Sequence, residues 1–413
     1  AGLPACWQTG LLYSGVIAMD SIVRVPGMPA EANLLTGDCV FFGDCAGLDA
    51  DLERQARSLL CETARCPEAS LDPGGLVVTV ELGRGCNARC AYCYQNNRKT
   101  REAMDEATIS MVADYIKNAL AMRPERAVEV RLIGGEPLLY RSETELLADA
   151  VETIRDVQVR WHVDTNGLLP MGWLFDRLED LEVVVCLSLP GDHDRLGRGP
   201  AKTVFDCLAA VEPKASQRLI ARYNCHEGNI ADFGRFLDWI EPLRGHPVFS
   251  VMVENLWNYP YNDERFHNGL SNEAFSKWAG NTAVPQLLGR GWPVGFQNRE
   301  APRLCQAHGP FSCKVYADGS VALCDLMDAP EARVFLEDIV DCPERLNEVY
   351  SDIKATDPLQ DSSCVRCPAL QACGGRAWCR RDQCDPSVLK RVLGSNLAVL
   401  SHSLRKEQLD VRP

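Results

Sequence analysis

Three cysteines at short spacing form the sequence feature with the clearest chemistry. Cys86, Cys90 and Cys93 follow a CxxxCxxC pattern directly after a strand-like run of β-branched residues. Three thiolates can hold a cubane [4Fe-4S] cluster that normally takes four cysteine ligands, so one iron is left open for another ligand. A zinc knuckle or a partial disulfide set is the alternative, although zinc sites favour paired CxxC units with four protein ligands. The spacing therefore favours a cluster with one open iron.

This triplet resembles the cluster motif of the radical S-adenosylmethionine (SAM) enzymes. The resemblance implies that the open iron binds the amino and carboxylate groups of SAM. It also implies that an electron from the cluster splits SAM to give a 5′-deoxyadenosyl radical. Tyr92 stands where the family usually has an aromatic residue near the adenine of SAM; simple packing beside the cluster is the alternative reading of this residue.

A second element supports the resemblance. Gly134, Gly135, Glu136 and Pro137 follow the second predicted strand and are similar to the family's GGEP element, which holds the methionine ammonium of SAM. Glycine lets the backbone approach a ligand closely, and a carboxylate pairs with an ammonium group. The resemblance therefore implies that Glu136 contacts SAM.

Further polar residues lie at or near the ends of later predicted strands. Thr165 and Asn166 follow the third strand, and Ser188 ends the fourth, where the resemblance implies contacts to the SAM ribose. Arg222 lies within the fifth strand, and we carry it over as a partner of the SAM carboxylate, because a guanidinium can bind a carboxylate with two hydrogen bonds. A structural salt bridge is the alternative role of Arg222.

A C-terminal series of cysteines resembles the SPASM domain, which houses two auxiliary [4Fe-4S] clusters in this superfamily. By position, the first set of ligands is Cys305, Cys313, Cys324 and Cys379, and the second set is Cys364, Cys367, Cys373 and Cys384. The spacing between Cys373 and Cys379 is longer than the family usually has, and Cys342 could substitute as a ligand. A zinc ribbon is the alternative.

One acidic residue directly follows an expected cluster ligand. Asp325 comes next after Cys324. In the sulfatase-maturing members an aspartate at this position is interpreted as the base that deprotonates the substrate, and partial desolvation would raise its pKa into a useful range. The alternative is an acid that orders the cluster loop by hydrogen bonding.

Composition limits the class of protein. The chain has 413 residues, is 46% hydrophobic and carries a formal net charge of -14. Because it has no Lys/Arg-dense run, we expect no nucleic-acid partner. No apolar stretch reaches the length of a membrane span and no signal-peptide pattern opens the sequence, so we expect a cytoplasmic protein. In a reducing compartment, its 20 cysteines are better explained by metal ligation than by disulfides.

The elements that must position these residues follow an alternating β/α pattern. We predict strands at 76–82, 128–133, 158–163, 182–189, 218–224 and 248–253. Helical patterns lie between them at 105–122, 142–155, 172–178, 201–212 and 229–242. This order predicts an α/β fold of the (β/α)6 partial TIM-barrel type, whose active sites gather at the C-terminal ends of the strands.

The rest of the chain divides around this barrel. The predicted regions are an N-terminal extension at 1–75, the barrel at 76–254, a linker at 255–300, the SPASM domain at 301–390 and a C-terminal helix or tail at 391–413. The extension contains apolar runs at 11–18 and 21–25 and a strand-like segment at 40–42. It is interpreted either as a peptide-recognition module or as a structural extension.

The motifs together predict a radical SAM/SPASM oxidoreductase. The leading hypothesis is a maturase that oxidises or cross-links a peptide or protein side chain, aided by auxiliary clusters and a flavodoxin- or ferredoxin-type electron donor. The alternative is a dehydrogenase or epimerase that acts on an aminosugar or aminocyclitol in natural-product biosynthesis. A non-catalytic iron-sulfur electron carrier would have no use for the GGEP and Thr165-Asn166 elements.

Overall fold

The computed structural model describes part of the chain in detail. The described residues are 22–24, 30–33, 39–41, 75–88, 90, 92–93, 102–187, 207–208, 210–244, 249–256, 269–292, 307, 309–323 and 332–354. The chain divides into two compact units. The larger comprises Pro73–Phe296 and Gln306–Ala355, and the smaller comprises Ala1–Asp72, Gln297–Cys305 and Thr356–Pro413. The five region boundaries expected from the sequence stay a prediction.

In the smaller unit, the described residues form an antiparallel sheet of three short strands. They are β1 (Ile22–Arg24), β2 (Ala30–Asn33) and β3 (Cys39–Phe41), in the order β1-β2-β3. The apolar run at 21–25 and the strand-like segment at 40–42 coincide with β1 and β3.

A nine-stranded sheet is the frame of the larger unit. Six of its strands are parallel and adjacent in chain order. They are β4 (Leu76–Val80), β5 (Ala127–Leu132), β6 (Gln158–Thr165), β7 (Leu181–Leu187), β8 (Arg218–Cys225) and β9 (Phe249–Asn255). Each of the six predicted strands overlaps one of these, so the prediction of an α/β partial barrel is confirmed.

Helices connect most of these strands. The α-helices whose bounds lie within the described residues of this unit are α1 (Glu106–Ala121), α2 (Arg141–Glu152), α3 (Gly172–Arg177), α4 (Phe233–Ile240), α5 (Asn272–Trp278), α6 (Val284–Gly289), α7 (Glu344–Val349) and α8 (Ser351–Lys354). A one-turn 3-10 helix, Pro137–Leu139, follows β5. The predicted helix at 201–212 lies mostly outside the described residues. None of the helices seen in the described ranges is both long and apolar enough to span a bilayer.

The parallel strands have two different faces. In β6, Trp161, Val163 and Thr165 are buried, whereas the alternate residues His162 and Asp164 are partly exposed. The same alternation of buried and partly exposed residues occurs in β5 and in most of β8. Because crossover helices cover the outer face of a barrel of this kind, the partly exposed polar face is its inner wall. We use "inner wall" for the side chains of β5–β9 on this face.

Three strands from later in the chain extend the sheet beyond β4. They are β10 (Cys313–Val315), β11 (Ser320–Ala322) and β12 (Val334–Phe335). β10 is parallel to β4, whereas β11 is antiparallel to β10 and β12 is antiparallel to β11. Gly319 has φ +78 in the turn between β10 and β11, a conformation that glycine adopts without strain.

Candidate active site

The three cysteines of the CxxxCxxC pattern lie in the loop that leaves the C-terminal end of β4. Cys86, Cys90 and Cys93 are each partly exposed and form no disulfide. Ala88 N donates to Cys86 Sγ at 3.4 Å, and Cys93 N donates to the Cys90 carbonyl at 3.1 Å. Three accessible thiols on one short loop fit the donor set of a three-thiolate iron-sulfur cluster. Within the described ranges, no three His, Cys, Asp or Glu side chains lie close enough together to hold a single metal ion.

The GGEP loop packs directly on this cysteine loop. Gly135 N donates to the Gly83 carbonyl at 3.2 Å, and Glu136 N donates to the Gly85 carbonyl at 2.8 Å. A Cβ on Gly134 would lie 2.9 Å from the Gly83 oxygen, and one on Gly135 would overlap the Gly85 carbonyl. The sequence indicated glycines that make room for a ligand. In the structure, the two glycines also allow two backbone loops to touch.

Glu136 is the buried centre of this arrangement. Its carboxylate accepts hydrogen bonds from the Thr165 hydroxyl at 2.6 Å, from Asn166 N at 2.8 Å and from Leu138 N at 3.0 Å. Only 1% of its surface is exposed. The carboxylate therefore fixes the end of β6 against the turn that follows β5, and the predicted site residues Glu136, Thr165 and Asn166 come together.

Asn166 joins this group to the cysteine loop. Its side-chain nitrogen donates to Asn87 Oδ1 at 2.7 Å and lies 3.8 Å from Cys86 Sγ. Its Oδ1 accepts from Leu168 N at 2.9 Å, which orients the amide. The resemblance implied that Asn166 contacts the SAM ribose. In the structure, Asn166 lies beside the loop that carries Cys86, Cys90 and Cys93.

A network of charged side chains crosses the inner wall below these loops. His162 Nδ1 lies 3.1 Å from Glu182 Oε1, and His162 Nε2 lies 3.1 Å from Asp164 Oδ2. Arg222 Nη2 lies 2.9 Å from Asp164 Oδ1, and Arg222 Nη1 lies 3.2 Å from Glu254 Oε2. The network therefore connects four neighbouring strands, β6 to β9.

Two pKa values follow from these contacts. Burial alone would lower the pKa of His162, but its hydrogen bonds to Asp164 and Glu182 outweigh burial and raise the pKa to about 9. Burial would raise the pKa of Asp164, but the charge of Arg222 and the contact with His162 hold it well below its ordinary value. At neutral pH both groups are charged, and Asp164 is a poor proton acceptor.

The other predicted site residues lie in several places. Tyr92 is partly exposed in the turn between Cys90 and Cys93, and Pro137 begins the 3-10 turn after Glu136. Cys313 is fully buried in β10, where burial raises the pKa of its thiol to about 12 despite an opposing hydrogen bond with Tyr115. The rest lie outside the described residues: Ser188, Asp325, Cys305, Cys324, Cys364, Cys367, Cys373, Cys379 and Cys384.

Sequence reasoning missed the partners of Arg222. His162 was placed in a predicted strand and Asp164 directly after it, but neither was given a role. Glu254 was only the last residue of the predicted barrel region. A signal was present: in the segment 160–164, charged or titratable residues alternate with Trp161 and Val163. Such an alternation indicates a strand with one polar face.

The sequence of the barrel region matches a known superfamily. Residues 80–212 match the family model described as the radical SAM superfamily. The chain therefore carries a radical SAM domain, and this part of the resemblance is confirmed.

Solved structures give the same fold. Native anSMEcpe with bound AdoMet aligns with a TM-score of 0.55 at 15% sequence identity, covering 80% of this chain and 98% of that one. Streptococcus suis SuiB bound to S-adenosylmethionine aligns with a TM-score of 0.50 at 13% identity, covering 90% of this chain and 98% of that one. At these identities the likeness establishes the fold, that of a radical SAM partial barrel.

Among curated proteins, the GTP 3′,8-cyclase of Klebsiella pneumoniae is 27% identical over 220 residues, which are 50% of this chain and 60% of the cyclase. The curated relatives that the chain matches are covered over only 35–60% of their own lengths. The similarity is therefore partial.

Proposed function

We propose that this protein is a radical SAM oxidoreductase of the SPASM type that modifies a side chain of a peptide or protein. One observation carries the proposal. Hydrogen bonds join the cysteine loop both to the GGEP loop and to the end of β6. Glu136 N donates to Gly85, and the Glu136 carboxylate binds Thr165 and Asn166. This arrangement puts the loop that carries the three cysteines against a buried carboxylate at the strand ends, where barrel enzymes bind their ligands.

In this proposal, the protein's part is to hold and orient the cofactors. Cys86, Cys90 and Cys93 would hold the cluster, Glu136 would pair with the ammonium of SAM, and Arg222 would pair with its carboxylate. The remaining contacts to SAM would come from Tyr92, Gly134, Gly135, Pro137, Thr165, Asn166 and Ser188. When bound, the cluster and SAM supply a 5′-deoxyadenosyl radical that removes a hydrogen atom from a substrate C–H bond.

The oxidation also needs a proton acceptor and an electron acceptor. Asp325 is the proposed proton acceptor, since it directly follows Cys324 in the sequence. The low pKa of Asp164 makes that residue a weaker candidate for the same task. Eight C-terminal cysteines, of which Cys313 is described, would hold two auxiliary clusters that accept an electron from the substrate. The substrate would lose one hydrogen atom, one proton and one electron. Together these amount to two hydrogens and two electrons, which is a two-electron oxidation.

Two observations favour a peptide substrate. A solved structure with the same fold, at a TM-score of 0.54, holds AdoMet and the Cp18Cys peptide. In addition, the smaller unit contains the β1-β2-β3 sheet, and extended peptides commonly bind proteins by adding a strand to a sheet. Both support a peptide substrate for this chain, and the second supports the use of residues 1–75 as a peptide-recognition module.

The inner wall favours the second candidate, a dehydrogenase or epimerase acting on an aminosugar or aminocyclitol. Asp164, Glu182 and Glu254 are carboxylates of this wall on neighbouring strands, and polar small molecules are bound by such groups. Each of these carboxylates is also paired with His162 or Arg222, which leaves less of their charge for a substrate. We therefore keep the peptide as the leading substrate class.

A fractionation experiment tests the function and separates the two substrates. The reconstituted protein is given SAM and dithionite without oxygen, and 5′-deoxyadenosine is measured after addition of source-cell extract split by a size filter. Stimulation by the large fraction, lost after protease treatment, supports a maturase; stimulation by the small fraction supports the sugar-type enzyme. Cys90→Ala should abolish formation of 5′-deoxyadenosine. Cys207→Ala, a buried cysteine outside the motif, is the matched control and should retain it.

A further inference from the structure

Arg222 is held from two sides by other side chains of the inner wall. Its Nη1 pairs with Glu254, and its Nη2 pairs with Asp164 and lies next to Cys186 Sγ. About a fifth of the side chain is exposed, 21%. A guanidinium with a carboxylate at each terminal nitrogen has a preferred orientation, because rotation moves at least one nitrogen away from its carboxylate and weakens that ion pair.

Asp164 is in turn fixed by His162. The two oxygens of Asp164 face different cations. Oδ2 lies 3.1 Å from His162 Nε2, and Oδ1 forms an ion pair with Arg222 Nη2 that lacks hydrogen-bond geometry. The other ring nitrogen of His162 faces Glu182. Carboxylates only accept hydrogen bonds, so a ring with a carboxylate at each nitrogen is doubly protonated. The raised pKa of His162 agrees with this geometry.

This chain of contacts ends next to the residues that join the loops. Asp164 directly precedes Thr165 and Asn166, which bind Glu136 and Asn87. Arg222 Nε is buried and has no hydrogen-bond partner among the described residues. A buried donor without a partner is unfavourable, and a carboxylate brought by a ligand would supply the acceptor.

We propose that His162, Asp164 and Glu254 are positioning residues that fix the Arg222 guanidinium in the orientation that receives the carboxylate of SAM. The inference rests on the proposed function, which assigns that contact to Arg222. Asp164 fixes Nη2, Glu254 fixes Nη1, and His162 keeps Asp164 in place. Removing any one of the three leaves the charge of Arg222 intact but loosens its orientation.

The test is equilibrium binding of SAM to the cluster-loaded protein without reductant, so that no turnover is needed. Asp164→Asn should raise the Kd for SAM by about tenfold, because one strong charged contact no longer orients Arg222. His162→Gln should raise it as well, and Asp164→Glu should restore part of the affinity. Asp352→Asn is the control. It breaks the ion pair with Arg333, which is not part of the inner wall, and should change the Kd by less than about twofold.

A second readout follows the network itself. In protein labelled with ¹⁵N-histidine, His162 should show both ring nitrogens protonated at neutral pH, and Asp164→Asn should lower its pKa. If the wild-type protein binds no SAM, the proposed function is rejected. The ¹⁵N signal of His162 would still report on its contacts with Asp164 and Glu182. If the wild type binds SAM and the folded Asp164→Asn and His162→Gln variants bind it with the same Kd, the positioning role is overturned. The proposed function would still stand. If Asp164→Asn does not fold, Glu254→Gln replaces it, with a weakened Kd expected and an unchanged one counting against the inference.

Discussion

The side-chain amide of Asn166 donates a 2.7 Å hydrogen bond to Asn87, the residue that follows the first cysteine of the cluster motif. This contact spans 79 positions of the sequence and joins the end of β6 to the loop after β4. The position of Cys86 therefore depends on a residue from another strand.

Replacing Asn166 tests this connection. Asn166→Ala removes the contact with Asn87, and we expect about tenfold slower formation of 5′-deoxyadenosine with little change in bound iron, because the cysteines remain but their loop is less well placed. Asn118→Ala is the control, since Asn118 donates a comparable 2.8 Å bond to the Val340 carbonyl away from the cysteine loop. Equal rates for the two variants would contradict the proposed role of Asn166.

The contact between the two loops predicts the effect of a single methyl group. A Cβ on Gly135 would overlap the Gly85 carbonyl, so Gly135→Ala should destabilise the fold by about 1–3 kcal/mol and abolish SAM cleavage. Gly172→Ala, where a Cβ meets nothing within 4 Å, should be close to neutral. Thermal unfolding of the two variants measures the difference, and a stable, active Gly135→Ala protein would show that the loops can separate without loss.

The network around His162 predicts a pH dependence of stability. The pKa of His162 in the folded protein, about 9, lies above the ordinary histidine pKa of 6.5. Protonated His162 therefore stabilises the folded protein. This contribution is fully present below the pKa of His162 in the unfolded chain and is lost as the pH rises through about 9. The full contribution of His162 to the free energy of unfolding corresponds to about 3 kcal/mol. Asp164, Glu182 and Arg131 are the charged groups that shift this pKa.

The difference in unfolding free energy between the wild type and His162→Gln isolates this contribution from the other groups that titrate near pH 9. We expect the wild type to lose its advantage between about pH 7 and pH 10. A difference that stays constant over this range would mean that His162 does not carry the charge assigned to it.

Iron content tests the proposed auxiliary clusters. Replacing Cys86, Cys90 and Cys93 together by alanine should leave roughly eight irons per chain, because two four-iron clusters would remain. Iron analysis of the anaerobically reconstituted variant gives the number. A value near zero would mean that the C-terminal cysteines bind something else.

The proposed proton acceptor can be tested separately from radical formation. Asp325→Asn should still cleave SAM but yield little oxidised product, because the substrate proton has no acceptor. The ratio of 5′-deoxyadenosine to product measures this uncoupling. Unchanged turnover would remove Asp325 from the mechanism.

The frame of the fold could be predicted because its signals are local. Runs of β-branched residues separated by helical patterns mark all six parallel strands to within two residues at each end. The position of Gly134 and Glu136 after the second strand was sufficient to place them near the cysteine loop, since strand ends of a barrel meet at one edge.

The partners of individual side chains could not be predicted in this way. Arg222 meets Asp164 across β7, a contact set by the stagger of neighbouring strands rather than by any local pattern. Likewise, position 135 requires a glycine because it lies against the carbonyl of Gly85, 50 positions earlier in the sequence. Such pairs depend on the tertiary arrangement alone.

The pairing of β10 with β4 has a consequence for how the chain folds during synthesis. Val77 N of β4 donates to Ser312 Oγ, a partner 235 positions later. Until that partner leaves the ribosome, β4 has no neighbour on this side and presents an open strand edge, which can pair with other chains. We therefore expect the strand that leads into the cysteine loop to be completed late, and chains cut short before β10 to aggregate.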